Sequence, residues 1–210
     1  MIRVLIADDH PVVRAGLKEI LAHHLEGVVC GEAENAQQVL AEVQRHSWDL
    51  VILDITMPGR SGYDILGDIK QLQPKLPILV LSMHPEDQYA KRVLKAGAHG
   101  YVKKESAPEE LIQAVRKLLA GSRYVSPALA EQFARDLHES ADRPVHEALS
   151  AREFEILVMI GSGKTVSRIA DELHLSVTTV STYRARVLEK MNMATTAELI
   201  RYVIRNHLVD

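Results

Sequence analysis

A chain of 210 residues is long enough for two modest domains, and its apolar share of 47% is too high for a disordered protein. A formal net charge of -3 excludes a strongly basic protein that coats nucleic acid. The single cysteine, Cys30, excludes an internal disulfide and a cluster of thiolate metal ligands, and it fits a reducing cytoplasm. The sequence has no run of about 18 uncharged apolar residues, so we expect a cytoplasmic protein without a membrane span.

Residues 1–120 alternate short apolar runs with longer amphipathic stretches. The apolar runs predict five strands, at residues 2–7, 28–33, 50–53, 78–81 and 99–102. Apolar residues at helical spacing predict a helix after each strand, at residues 12–22, 36–46, 62–73, 86–96 and 107–120. This alternation is typical of a doubly wound α/β domain, in which helices cover both faces of a five-stranded parallel sheet. Ligands bind such a sheet beyond the C-terminal ends of its strands.

The pattern changes after the fifth of these helices. A further helix is predicted from Pro127 to about Leu137, and a polar segment at 138–147 follows it. We therefore assign residues 121–147 to a linker that carries a helix. In the remainder only helical periods occur, and they predict four helices, at residues 151–160, 166–173, 177–191 and 195–206. Residues 148–210 are thus expected to form a separate all-α, four-helix domain.

Charged and hydroxyl side chains stand where the predicted strands end. Asp8 and Asp9 follow the first strand, Asp54 the third, Ser82 the fourth and Lys103 the fifth. Because the ends of parallel strands meet at one sheet edge, these groups are expected to converge there. Carboxylate oxygens suit Mg²⁺, and carboxylates, a hydroxyl and an amine together suit phosphoryl transfer. Taken alone, Asp8-Asp9 is at least as compatible with a solvated acidic loop.

The same residues resemble the receiver domain of the bacterial two-component response regulators. The resemblance spans residues 1 to about 120 and rests on the segment DITMPGRSG, which begins at Asp54, together with the strand-end residues named above. It implies a flavodoxin-like fold in which Asp54 accepts a phosphoryl group from a sensor histidine kinase. It also implies that Asp8, Asp9, Asp54 and the carbonyl of Thr56 hold Mg²⁺.

Further roles follow from this resemblance. Ser82 and Lys103 are expected to contact the phosphoryl oxygens. Tyr101 is expected to act with Ser82 as a conformational switch, with an ordinary packed tyrosine as the alternative. The sequence departs from the family at Lys104, because many receivers have proline after the pocket lysine.

Thr56 and His84 lie two residues after Asp54 and Ser82, at positions where the family tunes the lifetime of the phosphate. The only chemistry expected is Mg²⁺-dependent self-phosphorylation and autodephosphorylation, so the chain is not expected to be an enzyme. Phosphorylation is expected to shift the surface of helix four, strand five and helix five between two states. That shift either releases the DNA-binding domain or promotes dimerisation, and the sequence is compatible with both.

The C-terminal domain contains a predicted helix, a turn at Leu173-His174-Leu175-Ser176 and a second helix that Ser176 can cap. Hydroxyl and guanidinium groups on the second helix suit base edges and phosphates in a DNA major groove. The candidate DNA contacts are Thr178, Ser181, Thr182, Arg184, Arg186 and Lys190. Basic and acidic residues balance over 147–210, so charge alone favours a solvated helix face over DNA binding.

This segment resembles the LuxR-type helix-turn-helix, and with the receiver pattern it indicates a response regulator of the NarL/FixJ type. The matching positions are Leu149-Ser150, Arg152-Glu153, Gly161, Gly163, Ile169-Ala170, Leu173, Ser176, Thr179-Val180 and Lys190-Met191-Asn192. The resemblance implies binding to double-stranded promoter DNA, regulation of transcription and a homodimer supported by the last helix. Leu199 and Val203 of that helix, and Leu208 just after it, are equally compatible with a core role. Ser181 and Tyr183 replace the lysine and histidine of many relatives, so base preference does not transfer.

Three other functions compete with this interpretation. Gly161-Ser-Gly-Lys-Thr165 imitates the end of a phosphate-binding P-loop, but Val158 stands in place of the first glycine and a helix precedes the segment where a strand is required. A Mg²⁺-dependent phosphatase would need a general acid near Asp54, and phosphatases of the haloacid dehalogenase type have an aspartate where Thr56 stands. A DNA-binding protein with an inactive receiver is disfavoured, because no element of the acidic pocket is missing.

Overall fold

The computed structural model describes residues 1–57, 60–138 and 144–209. These residues form two compact units, Met1–His138 and the described part of Glu139–Asp210. The first unit is α/β and the second is all-α, which confirms the predicted fold class. Within the described ranges, no helix combines the length and the apolar character that crossing a membrane requires.

The first unit is built from alternating strands and helices. The strands are β1 (Ile2–Ala7), β2 (Val28–Ala33), β3 (Leu50–Asp54), β4 (Ile78–Ser82) and β5 (Gly100–Lys103). The helices that follow them are α1 (Pro11–His24), α2 (Ala36–Arg45), α3 (Gly62–Leu72), α4 (Glu86–Lys95) and α5 (Pro108–Leu119). The sheet order is β2-β1-β3-β4-β5, and every neighbouring pair is parallel. The order reverses direction between β1 and β3, which is where such sheets bind their ligands.

The central strands are apolar because helices cover both faces of the sheet. All five residues of β3, LVILD, and all five of β4, ILVLS, are buried. On one face, Leu17 and Leu21 of α1 and Leu111 and Val115 of α5 pack against strand residues in a single apolar cluster. Burial of each such side chain contributes about 1.5–3 kcal/mol. This core holds the strand ends, and the polar groups on them, in fixed positions.

A sixth helix, α6 (Pro127–His138), belongs to the first unit. Ser126 Oγ accepts a hydrogen bond from the amide of Leu129 (3.1 Å) and donates one to Glu86 Oε2 of α4 (2.8 Å). The Leu129 side chain is buried, and Gln132 donates to the carbonyl of Asp87 (3.2 Å). The unit therefore ends after residue 138, whereas the sequence places 121–147 in a linker. Residues 139–143 of that predicted linker lie outside the described residues.

The second unit contains, in its described part, a 3₁₀ turn (Val145–Ala148) and four helices: α7 (Ala151–Gly161), α8 (Val166–Glu172), α9 (Val177–Lys190) and α10 (Thr196–Arg205). A hydroxyl residue precedes each helix, and its side chain accepts a hydrogen bond from a backbone amide in the first turn. These capping residues are Ser150, Thr165, Ser176 and Thr195. Helix α7 packs on the other three, and α8 packs on α9. His174, with a φ of 51°, turns the chain between α8 and α9.

The last helix packs closely on α7. Leu199 and Val203 of α10 are fully buried, and Leu208 is nearly so, which makes all three core residues. A Cβ at Gly161 would lie 2.2 Å from Val203 Cγ1, so only glycine fits at this contact. The segment that imitates a P-loop thus joins two helices, and its first glycine serves helix packing.

Candidate functional site

Carboxylates converge at the C-terminal edge of the sheet. Asp8 follows β1 and Asp54 ends β3, and these two strands are neighbours. Ligand atoms of Asp8, Asp9, His10 and Asp54 all lie within 4.8 Å of one another. Asp8 and Asp54 are each 1% exposed, so two carboxyl groups are buried side by side. The sequence predicted the three aspartates at one site, but it did not predict His10, because no second histidine is spaced to pair with it.

The lysine of this pocket is Lys104, not Lys103. Its Nζ lies 2.7 Å from Asp54 Oδ2 and 2.7 Å from Asp8 Oδ2. The sequence predicted Lys103 because it ended the fifth strand at Val102. Strand β5 instead runs to Lys103, whose side chain is exposed and whose backbone pairs with Ser82. Lys104 is therefore the first residue beyond the strand, and its amide donates to the Ser82 carbonyl (2.9 Å).

The pocket has more acidic groups than basic ones. Burial raises the pKa of the Asp54 carboxyl, and Lys104 offsets this only in part. Burial lowers the pKa of Lys104, but the Asp54 and Asp8 carboxylates raise it more, so the ammonium stays charged. Three carboxylates around one ammonium leave net negative charge, which a divalent cation with a preference for oxygen ligands would neutralise. The donor set therefore fits Mg²⁺.

The chain after β3 wraps around the Asp54 carboxyl. The amide of Thr56 donates to Asp54 Oδ1 (3.1 Å), and the Thr56 side chain is exposed. At the start of α3, a Cβ on Gly62 would lie 2.3 Å from the Asp54 carbonyl oxygen, so this approach requires glycine. Residues 58 and 59 of the DITMPGRSG segment lie outside the described residues. The glycine at position 62 is thus explained by the close approach of the backbone to Asp54.

Ser82, His84 and Tyr101 form a connected group beside the pocket. Ser82 and Tyr101 are fully buried. Ser82 Oγ accepts from the amide of His84 (3.1 Å), and Tyr101 Oη donates to the His84 carbonyl (2.8 Å). The His84 ring stacks on Tyr89 of α4 at 4.4 Å between centroids. Burial raises the pKa of the Tyr101 hydroxyl, which keeps it a hydrogen-bond donor. The loop after β4 is thus tied to both predicted switch residues.

Helix α9 presents a polar face. Thr178, Thr182 and Arg186, spaced four residues apart, are exposed, and Ser181 and Arg184 are half-buried. Val180 and Val187 are fully buried on the opposite side. Val177, at the start of the helix, is 51% exposed. The Ser176 hydroxyl accepts from the Thr179 amide (3.0 Å) and caps this end, as predicted.

Lys190, the last of the predicted DNA contacts, has a structural partner. Its Nζ lies 2.7 Å from Oε2 of Glu153, a residue that is only 4% exposed. Burial raises the pKa of the Glu153 carboxyl, but Lys190 and the Ser150 backbone lower it more, so the net shift is downward. Lys190 therefore ties the end of α9 to the start of α7. The spacing of basic residues on α9 could not distinguish this ammonium from those that face solvent.

Two family models match the chain. The response regulator receiver domain matches residues 4–116, and the bacterial regulatory proteins of the luxR family match residues 147–203. The response regulator GacA of Pseudomonas aeruginosa is 36% identical over 212 residues, a match that covers 100% of this chain and 99% of the relative. The response regulator UvrY of Escherichia coli is 35% identical over 212 residues, with 100% and 97% covered.

Solved structures of response regulators share this fold. RcsB of Salmonella typhimurium matches with a TM-score of 0.66 at 29% identity, covering 97% of each chain. RcsB bound to promoter rprA in the presence of the phosphomimetic BeF₃⁻ matches with a TM-score of 0.65 at 27% identity, covering 96% of this chain and 97% of that one. A LuxR-family two-component response regulator from Aurantimonas sp. SI85-9A1 matches with a TM-score of 0.58 at 35% identity, covering 64% of this chain and 96% of that one.

Proposed function

Since this chain belongs to the response regulators that join a receiver domain to a LuxR-type DNA-binding domain, we propose that phosphorylation of Asp54 by a sensor histidine kinase controls its binding to promoter DNA. The chain is a transcriptional regulator and not a classical enzyme. The observation that carries the assignment to Asp54 is its buried carboxyl, in contact with Lys104 and flanked by Asp8 and Asp9.

Phosphoryl transfer to Asp54 follows from the groups around it. An Asp54 carboxylate oxygen forms a bond to phosphorus as the bond from phosphorus to the kinase histidine nitrogen breaks, and the imidazole leaves. The incoming phosphoryl group adds negative charge, which the Lys104 ammonium offsets. We assign the contact predicted for Lys103 to Lys104, because only Lys104 reaches Asp54 among these two. The phosphoryl group is later lost by hydrolysis: water attacks phosphorus, the bond from phosphorus to the Asp54 oxygen breaks, and the carboxylate and inorganic phosphate result.

Asp8, Asp9, Asp54 and the Thr56 carbonyl would hold Mg²⁺ in this proposal. When bound, the cation supplies positive charge to the phosphoryl oxygens and to the carboxylates. Asp8 and Asp9 would supply carboxylate ligands to it, since their oxygens lie within 4.8 Å of an Asp54 carboxylate oxygen.

Ser82 and Tyr101 connect the pocket to the loop after β4. We propose that the Ser82 hydroxyl leaves the His84 amide to donate to a phosphoryl oxygen, and that the Tyr101 ring follows. The surface of α4, β5 and α5 would then shift in population between two states. Release of the DNA-binding unit and formation of a homodimer are both consistent with such a shift. Thr56 and His84, at the edge of the pocket, are proposed to set the lifetime of the phosphate.

The first test is labelling with acetyl phosphate, read as the intact mass of the chain. We expect one added phosphate in the presence of Mg²⁺ and none after its removal by chelation. The Asp54→Ala variant should remain unlabelled, because it lacks the nucleophile. Asp87→Ala, which removes an exposed aspartate on α4, is the matched control and should label as the unmodified chain does. Labelling that persists in Asp54→Ala would contradict the assignment.

The exposed face of α9 is the proposed DNA contact. Thr178, Ser181 and Thr182 offer hydroxyls to base edges, and Arg184 and Arg186 offer guanidinium groups to phosphates or bases. RcsB bound to promoter DNA supports this placement, because its structure resembles this chain over nearly its full length. Lys190 is left out of the proposal, since it pairs with a buried carboxylate.

The DNA contact is tested by measuring affinity for a selected duplex over a range of salt concentrations. Arg186→Gln should weaken binding and lower the salt slope by about one, because one phosphate contact is lost. The charge-matched control is Arg205→Gln, on α10, which packs on α7. Equal slopes for Arg186→Gln and the unmodified chain would remove Arg186 from the interface.

A further inference from the structure

Arg14 is a buried arginine on α1 whose role neither the receiver pattern nor the pocket chemistry assigns. It is 5% exposed, and each of its three guanidinium nitrogens donates a hydrogen bond. Nη1 donates to the carbonyl of Asp8 (2.8 Å), Nε to Glu32 Oε2 (2.9 Å) and Nη2 to Glu34 Oε1 (2.8 Å). The guanidinium therefore connects the end of β1 to acidic side chains at the end of β2.

The contact to Asp8 fixes the backbone that carries a pocket carboxylate. The amide of Asp8 donates to the carbonyl of Ala33 in β2 (3.1 Å), and its own carbonyl accepts from Arg14. Its Oδ1 accepts from the His10 amide (2.8 Å). Asp8 thus forms hydrogen bonds through its amide, its carbonyl and its carboxylate, and Arg14 is the donor to the carbonyl.

The acidic partners do not by themselves require a buried arginine. The side chains of Glu32 and Glu34 are 38% and 59% exposed, so water can solvate both carboxylates. Burying a charged pair often gives no more stability than an apolar side chain of similar volume would. Lys18 pairs with the same Glu32 from the surface (2.7 Å). What Arg14 adds beyond such a surface pair is the bond to Asp8.

We propose that Arg14 is a positioning residue of the cation site, which holds Asp8 in place for Mg²⁺ binding and acts only through Asp8. The inference rests on the proposed function, because it presupposes a Mg²⁺ site at Asp8. Arginine suits this role because its planar fork reaches a carbonyl and two carboxylates at once, whereas lysine has a single nitrogen. Mutation of a residue that orients a metal ligand typically lowers the metal affinity by about 10- to 100-fold.

The test compares Mg²⁺ dissociation constants of full-length variants, measured by titration calorimetry. Arg14→Met keeps much of the apolar volume and loses every donor, and we expect its Mg²⁺ affinity to fall at least about tenfold. Arg14→Lys should recover part of this loss, since one nitrogen can still reach the carbonyl. Lys18→Gln loses the surface pair to Glu32 and should bind Mg²⁺ as the unmodified chain does.

If Arg14 only positions Asp8, its substitution should change the affinity for Mg²⁺ and leave the rate of phosphoryl transfer to Asp54 unchanged. In Arg14→Met, the Mg²⁺ concentration for half-maximal labelling by acetyl phosphate should rise, and the rate at saturating Mg²⁺ should stay unchanged. A merely structural role would lower the melting temperature without moving that concentration. If Arg14→Met fails to fold, Glu32→Ala with Glu34→Ala keeps the arginine, removes both of its side-chain acceptors and is expected to weaken Mg²⁺ binding in the same direction.

The outcomes separate this inference from the proposed function. A folded Arg14→Met that binds Mg²⁺ within about twofold of the unmodified chain would overturn the role of Arg14 and leave Asp54 untouched. Unchanged affinity in the double alanine variant, when Arg14→Met does not fold, would overturn it as well. An unmodified chain that binds no Mg²⁺ would overturn both.

Discussion

The Lys104 ammonium contacts two buried carboxylates, those of Asp8 and Asp54, so its removal should slow phosphoryl transfer to Asp54. We expect Lys104→Gln to slow acetyl phosphate labelling of Asp54 by on the order of 100-fold, because a preorganised donor to the developing charge is lost. Lys103→Gln removes the same charge one residue earlier, from an exposed side chain, and should leave the rate unchanged. The initial labelling rates of both variants, by intact mass, check this.

The reverse pattern, a slow Lys103→Gln and a normal Lys104→Gln, would show that the pocket uses the other lysine in solution. Circular dichroism of each variant provides the folding control, because Lys104→Gln leaves Asp8 and Asp54 without their shared counter-charge.

The two lysines also show where residue-level inference from sequence ends. The three aspartates and Ser82 could be predicted, because each follows or ends a strand and a parallel sheet gathers such ends at one edge. The choice between Lys103 and Lys104 depends on where β5 stops, and a shift of one residue along a strand exchanges which side chain faces which way. The pairing of Ser82 with Lys103 decides the matter, and that pairing is a tertiary fact.

At the scale of elements, the first residues of helices could be predicted from the sequence, because a capping residue and its partner lie within a few positions of each other. Ser150 and Glu153 form a reciprocal capping box only three residues apart, and Ser61 with Asp64 forms another. The packing of α6 on the first unit could not be predicted from the sequence. It depends on the hydrogen bond from Ser126 to Glu86, which lies 40 residues earlier in the chain. Composition alone therefore assigned that helix to a linker.

Gly161 illustrates the same limit for a short motif. With Lys164 and Thr165 it resembles a nucleotide-binding loop, and two sequence observations argue against that function: the first glycine is missing, and a helix precedes the segment where a strand is required. The contact with Val203 gives a positive reason for the glycine, since any side chain there would separate α7 from α10. Thr165 is likewise accounted for, because its hydroxyl caps α8 by accepting from the Arg168 amide.

At the scale of the whole molecule, each unit has its own core, so a ligand of one unit should stabilise that unit. The first unit holds the carboxylate cluster and also the single tryptophan of the chain, Trp48. Trp48 packs on Gly31 of β2 and donates to the Glu42 carbonyl (3.1 Å), so its fluorescence reports the unfolding of this unit alone. Circular dichroism reports both units, because both contain helices.

Mg²⁺ should therefore raise the unfolding midpoint that Trp48 fluorescence reports and leave the transition of the second unit in place. A cation that binds the folded state alone adds about 2.7 kcal/mol at a concentration 100 times its dissociation constant. Asp8→Asn should abolish the shift, because it removes a ligand from the cluster. Leu157→Ala, in the core of the second unit, should lower the free energy of unfolding of that unit by about 2–5 kcal/mol. The transition that moves in this variant is therefore that of the second unit. A Mg²⁺ shift that survives Asp8→Asn, or that moves the transition marked by Leu157→Ala, would place the cation outside the carboxylate cluster.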